Sequence, residues 1–153
     1  MRKQQVLEKL EKAWMDFESS FEGLSDTQLE QTGVTESWSI KDLIAHVGWW
    51  EEEALKHLPH IQQGITPPRY KDAYGGLDAF NALMTVQKHA LPLAEVVQQH
   101  LDIHCRLVNF LQDAPEELFT SETRFRRRLR LDTYSHYPEH RRAIWEWRQR
   151  LNI

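Results

Sequence analysis

The stretch Trp38-Ser39-Ile40-Lys41-Asp42-Leu43-Ile44-Ala45-His46-Val47-Gly48-Trp49-Trp50-Glu51 decides the fold. Ser39 offers a side-chain oxygen to the unpaired amides of a helix start, and Asp42, three residues on, completes a capping box. Ile40, Leu43, Val47, Trp50, Ala54 and Leu58 then recur at intervals of three and four, which predicts one amphipathic helix over 40–62. A helix with a single apolar stripe must bury it against another element. His46 lies at the edge of that stripe.

Working outward, Val6, Leu10, Trp14, Phe17 and Phe21 predict a helix over about 2–22, and Gly23 and Gly33 bracket a polar connection. No apolar periodicity survives between Gly64 and Gly76, where Pro67 and Pro68 sit, so this segment reads as a loop. Its length is enough to carry the chain along a bundle and start a helix parallel to the last. A third helix begins near Leu77, with a kink or break at 89–92 because Pro92 lacks a backbone donor. Its second part, about 93–112, carries Leu93, Val97, Leu101, Val108 and Leu111. A fourth helix over about 129–151 aligns Leu129, His136, His140, Ile144, Trp147 and Leu151. No alternating run suits a strand. The expectation is an all-α four-helix bundle in a single domain, 1–153.

The bulk numbers narrow the functional classes. A chain of 153 residues can bury a core without disulfides or structural metals. Cys105 is the only cysteine, which suits a reducing cytoplasm, and on a core helix it reads as a buried inert thiol. The charged N-terminus lacks the apolar stretch of a signal peptide, and nothing approaches a membrane span, so a cytoplasmic location is expected. The net charge of -4 argues against nucleic acid as a general partner. Arg124-Phe-Arg-Arg-Arg-Leu-Arg130 is a local exception that reads as a solvated helix approach.

Eight histidines supply the candidate chemistry. A spacing of four puts His136 and His140 one turn apart on one helix face, and a third imidazole from another helix would leave a divalent ion an open position. His100 and His104 form a competing pair in the apolar stripe of helix three. His57 and His60 fall at a helix C-terminus, where a cation meets exposed carbonyls, and His89 reads as a surface residue. His136-Tyr-Pro-Glu-His140 also spells H-x-x-E-H, but that peptidase family needs a larger chain and a downstream acidic ligand. Glu139 remains a proton acceptor beside any bound ion. Glu51, Glu52 and Glu53 read chiefly as a solvated face, although Glu53 shares the face of His46 two turns on. Glycine-rich nucleotide motifs and G-x-S-x-G are absent.

Trp38 to His46 with Trp50-Glu51, Asp78-Ala-Phe-Asn81, and Asp132-Thr-Tyr-Ser-His-Tyr-Pro-Glu-His-Arg-Arg-Ala-Ile-Trp145 together resemble the DinB-like four-helix bundles, in particular the ClbS/DfsB branch. The likeness spans roughly residues 5–150. It implies an up-down-down-up bundle, in agreement with the long second connection, and a divalent metal, Zn or Ni, on His46, His136 and His140. That assignment settles the contest with His100 and His104. Members include thiol-dependent transferases and isomerases, a hydrolase that opens a cyclopropane, and proteins without an assigned activity.

Two functions follow. The first is a metal-dependent enzyme, a hydrolase or thiol-dependent S-transferase acting on a small molecule, in which Glu139 or Glu53 relays a proton. A low-molecular-weight thiol is then a partner, with Arg141 and Arg142 or the arginine run available to its carboxylates. The second is a non-catalytic small-molecule binding or self-resistance bundle. Six tryptophans exceed the usual needs of a core this size, so a homodimer is expected.

Overall fold

The computed structural model describes residues 1–153. It contains nine helices: α1 (Lys3–Ser20), α2 (Asp26–Glu30), α3 (Ile40–Gln62), α4 (Tyr70–Tyr74), α5 (Leu77–His89), α6 (Leu93–Asp113), α7 (Glu117–Thr120), α8 (Arg124–Asp132) and α9 (Tyr137–Leu151). The only extended pairing is an isolated bridge between Thr35 and Trp38, just ahead of α3. No helix is long and apolar enough to cross a membrane.

The long helices α1, α3, α6 and α9 form the bundle, and side-chain contacts fix their directions. Glu11 meets His104 while Glu18 meets His100, so α1 and α6 run antiparallel. Ile44 lies near Val96 and Glu51 meets His104, so α3 and α6 run parallel. Asp16 meets Arg141 and Ser20 meets Arg148, so α9 runs with α1. The order is up-down-down-up. Its core includes Val6, Leu10 and Phe17 from α1, Leu43, Val47 and Leu58 from α3, Leu107 and Leu111 from α6, and Ile144 and Trp147 from α9. Each such side chain contributes on the order of 1.5–3 kcal/mol by leaving water.

The α3 start behaves as its sequence predicts. The Asp42 amide donates to Ser39 Oγ at 3.1 Å, and the Ser39 amide donates to Asp42 Oδ2 at 3.0 Å. Pro59 is accommodated within the last turns of this helix.

Two expected helices are each divided. The segment read as one kinked third helix is a hairpin. The backbone carbonyl of His89 accepts from Lys41 Nζ and Trp50 bonds to Asn81, so α5 runs back along α3 before Ala90–Pro92 turns the chain into α6. Pro92 opens α6 rather than bending a helix, because its carbonyl accepts the amides of Glu95 and Val96 and no donor is needed from it there. The long crossover is therefore made by α5 more than by the loop before it. The expected fourth helix likewise divides into α8 and α9. Thr133, at φ −131° and ψ −99°, leaves the helical region, and Pro138 sits in the first turn of α9, where a missing amide costs nothing. Leu129 thus belongs to a different helix from His140.

Smaller departures have the same origin. The polar connection contains α2, capped by Ser25, and the loop after α3 contains α4. Gly75 and Gly76, both at positive φ, end α4 and turn directly into α5, a conformation L-residues resist. The arginine run forms α8, with Phe125 and Leu129 buried between its arginines. Cys105 is exposed, contrary to expectation, because the groove it lines between α1 and α6 is open to solvent. Among the tryptophans, Trp49 and Trp147 are buried and only Trp145 is substantially exposed, at 43%.

Candidate metal centre

His46 projects from the second turn of α3, His136 occupies the position just before the N-terminus of α9, and His140 lies one turn into that helix. His136 keeps right-handed helical dihedrals (φ −91°, ψ −46°), so the four-residue spacing still aligns the two imidazoles although the helix begins only at Tyr137. The three Nε2 atoms converge. His136 Nε2 lies 2.9 Å from His46 Nε2 and 2.8 Å from His140 Nε2, and the three residues form the one group of histidine, cysteine or carboxylate side chains placed to share an ion.

Burial holds these imidazoles neutral. It pushes His46 down to about 2, with the neighbouring His136 and His140 adding to the effect, and His136 down to about 3, with His140 adding. His140 falls to about 4 by burial alone. Near neutral pH each ring therefore offers a lone pair rather than a charge, the form in which histidine ligates metals. All three Nδ1 atoms are buried and unpartnered, so aromatic packing instead of carboxylates orients the rings. Trp49 meets the edge of the His46 ring at 4.8 Å, and Trp38 lies 5.0 Å from it. Three convergent neutral imidazoles are a donor set that fits a divalent ion such as zinc or nickel.

The group opens on a cavity of about 520 Å³. Trp50, Tyr70, Asn81, Arg128 and Asp132 line it with the histidines, Leu77 and Leu131 border it, and Glu139 is the exposed carboxylate at its edge. Behind the cavity runs a chain of polar contacts. Arg128 donates through Nε to Asp132 Oδ2 at 2.6 Å and through Nη2 to the Tyr70 hydroxyl at 2.7 Å. Tyr70 donates in turn to Glu53 Oε1 at 2.8 Å, and His57 Nε2 lies 3.5 Å from the same oxygen. Burial raises Asp132 to about 6 against the opposing pull of Arg128. Burial also raises the Tyr70 phenol, which keeps its proton for Glu53.

Glu53 is thus buried and bonded, not solvated, and it reaches the cavity only through Tyr70. Glu51 is fully buried as well. His57 pairs with Glu53 instead of the helix-terminal carbonyls, whereas His89 is exposed as expected and contacts Asp42. Tyr70 gave no signal in the sequence, since it lies where hydrophobic periodicity is absent. Arg128 and Asp132 carried a faint one in their i, i+4 spacing.

His100 and His104 take no part in this group. His104 Nδ1 lies 3.1 Å from Glu51 Oε1, its Nε2 lies 3.1 Å from Glu11 Oε2, and His100 Nε2 lies 2.6 Å from Glu18 Oε1. Trp14 stacks on both rings, at 3.9 Å from His104 and 5.1 Å from His100. Burial pulls His104 down, but the carboxylates of Glu51 and Glu11 outweigh it and raise the ring above its ordinary value.

No curated protein matches the sequence. Among solved structures, one described as sibling lethal factor precursor, DfsB, superposes with a TM-score of 0.82 at 15% identity, covering 99% of this chain and 97% of its own. A Streptococcus pneumoniae protein gives 0.81 at 13% identity over 97% and 91%. An uncharacterised Escherichia coli UTI89 protein gives 0.78 at 17% identity over 99% and 95%. At such identities the likeness establishes a shared fold, and function has to be argued from the site. The model of the DinB superfamily matches residues 9–142, nearly the whole bundle, and this chain belongs to that superfamily.

Proposed function

We propose that this protein is a metal-dependent enzyme, a hydrolase or thiol-dependent S-transferase acting on a small molecule, with a divalent zinc or nickel ion on His46, His136 and His140. The observation that carries the reading is the convergence of three neutral imidazoles, His46 and His140 buried and His136 half-buried, at the wall of a cavity of small-molecule size. A bound ion supplies Lewis acidity and lowers the pKa of a water or thiol in its open position. The chain supplies the rest. Glu139 stands at the cavity edge to accept a proton, and Glu53 accepts one through the Tyr70 hydroxyl. Trp50 and the bordering leucines exclude water from the apolar part of a substrate. We assign the protein to the cytoplasm and to a homodimeric state on its sequence.

The test is a screen of thiol-transfer and hydrolytic substrates with metal-loaded protein, repeated with Glu139→Gln. The expected result is turnover that falls by about 10²–10⁴-fold in the variant, the usual contribution of a general base, while the metal content stays unchanged. Metal binding with small-molecule binding but no turnover across the screen would favour a non-catalytic binding protein.

A further inference from the structure

Asn81 faces two indoles. Its Oδ1 accepts from Trp49 Nε1 at 3.1 Å and from Trp50 Nε1 at 3.0 Å. An indole N–H can only donate, so both contacts require the oxygen of the amide and fix which way the side chain is turned. The Nδ2 group, with two donors, is left without any acceptor in the protein. It is not among the sealed, unpartnered atoms either, so it reaches open space. Asn81 is part of the wall that also holds His46, Trp50, His136 and His140, and on its other side it borders a second cavity beside Glu36, Trp38 and Asp78.

We infer that the cavity beside the three histidines selects its ligand by an uncharged carbonyl oxygen, as in an amide or ester, which accepts from Asn81 Nδ2. The inference rests on the proposed function for the presence of a ligand but adds the group that is recognised. Three features favour a neutral carbonyl over a carboxylate. The cation on the cavity wall, Arg128, is already balanced by Asp132 at 2.6 Å and held by Tyr70. Glu139 at the edge repels an anion. The donor itself carries no charge. The double indole clamp also prevents the amide from flipping to present its oxygen, so an acceptor is favoured and a donor on the ligand is rejected.

Asn81→Asp separates recognition from folding. One carboxylate oxygen still accepts from both indoles, while the other replaces two donors with an acceptor that repels a carbonyl. The probes are N-benzylacetamide and phenylacetate, titrated into the full chain, metal-free and metal-loaded, with protein NMR shifts as readout. Metal affinity and the thermal melt are measured separately on both proteins. The expected result is that the wild-type protein binds the amide at least about tenfold more tightly than Asn81→Asp does, with metal affinity and melting retained. Equal binding by the two proteins would overturn the inference, as would wild-type preference for phenylacetate in the metal-free state or no binding of the amide in either state. Asn81-dependent amide binding in a protein that fails to hold metal would sustain the inference and reject the metal enzyme.

Discussion

Two pairs of histidines one turn apart, His136 with His140 and His100 with His104, share their spacing but not their chemistry. The first pair meets His46 with no carboxylate in contact, so three lone pairs converge and burial keeps the rings neutral. The second pair meets Glu18, Glu11 and Glu51, so each ring is bonded to an acid and the charge on His104 is favoured. Spacing places two imidazoles on one face; the partners brought by other helices decide whether they ligate or brace. In the second cluster the His104–Glu51 contact also ties α6 to α3, and the Tyr137 hydroxyl donates to the same Glu51 at 2.7 Å. A stabilising network thus backs directly onto the residue next to His136.

The sharpest way to break this comparison is to remove one histidine from each side. His46→Ala is expected to weaken binding of one divalent ion per chain by more than about a hundredfold, because even groups that only support a ligand are worth 10–100-fold. His100→Ala should leave metal affinity within a few-fold of wild type. Calorimetric titration of metal into both variants decides the matter, and the reverse pattern would exchange the roles of the clusters.

His104→Ala probes the bracing side. It leaves the Glu51 carboxylate buried with only Tyr137 as a donor, a loss of about 3–5 kcal/mol by analogy with other broken buried pairs. Urea unfolding measures it. His104→Ala unfolding at the wild-type urea midpoint would mean that the contact adds nothing to the fold.

A smaller effect should separate the clusters by pH. The three converging rings have folded pKa values of about 2, 3 and 4, below the ordinary 6.5, so their contribution to metal-free stability is present above about pH 6.5 and is lost progressively as pH falls from there through those folded values. His104 has the opposite sign: its contribution is present below about pH 6.5 and is lost as pH rises through its elevated folded value. Melting of wild-type and His104→Ala protein across pH 5–9 should therefore show the variant losing the alkaline decline but keeping the acid one. Bound metal should shift the acid decline to lower pH, and further at higher metal concentration, since protons and metal compete for the same nitrogens.

The sequence by itself determined the helical class, the capped start of α3 and the apolar stripes of α1 and α3, because these depend on periodicity and on contacts within a few residues. On α6 the buried face runs instead through Val96, His100, Ile103, His104, Leu107 and Leu111, and of the expected stripe Leu101 is left exposed. The sequence also determined the face shared by His136 and His140, and the family resemblance added His46. Only the tertiary structure decided that the segment around Pro92 reverses direction, since proline forbids continuing a helix but does not say where the chain goes next. The same holds for Glu51 and Glu53, which look like a solvated acidic run until His104, Tyr137 and Tyr70 arrive from α6, α9 and α4 to bond them. Cys105 shows the converse, an apolar-helix residue left exposed in an open groove between α1 and α6. Asn81 depends most on the fold. Its recognition role arises from two indoles of α3 meeting an amide of α5, an encounter between residues more than 30 positions apart that no local pattern records.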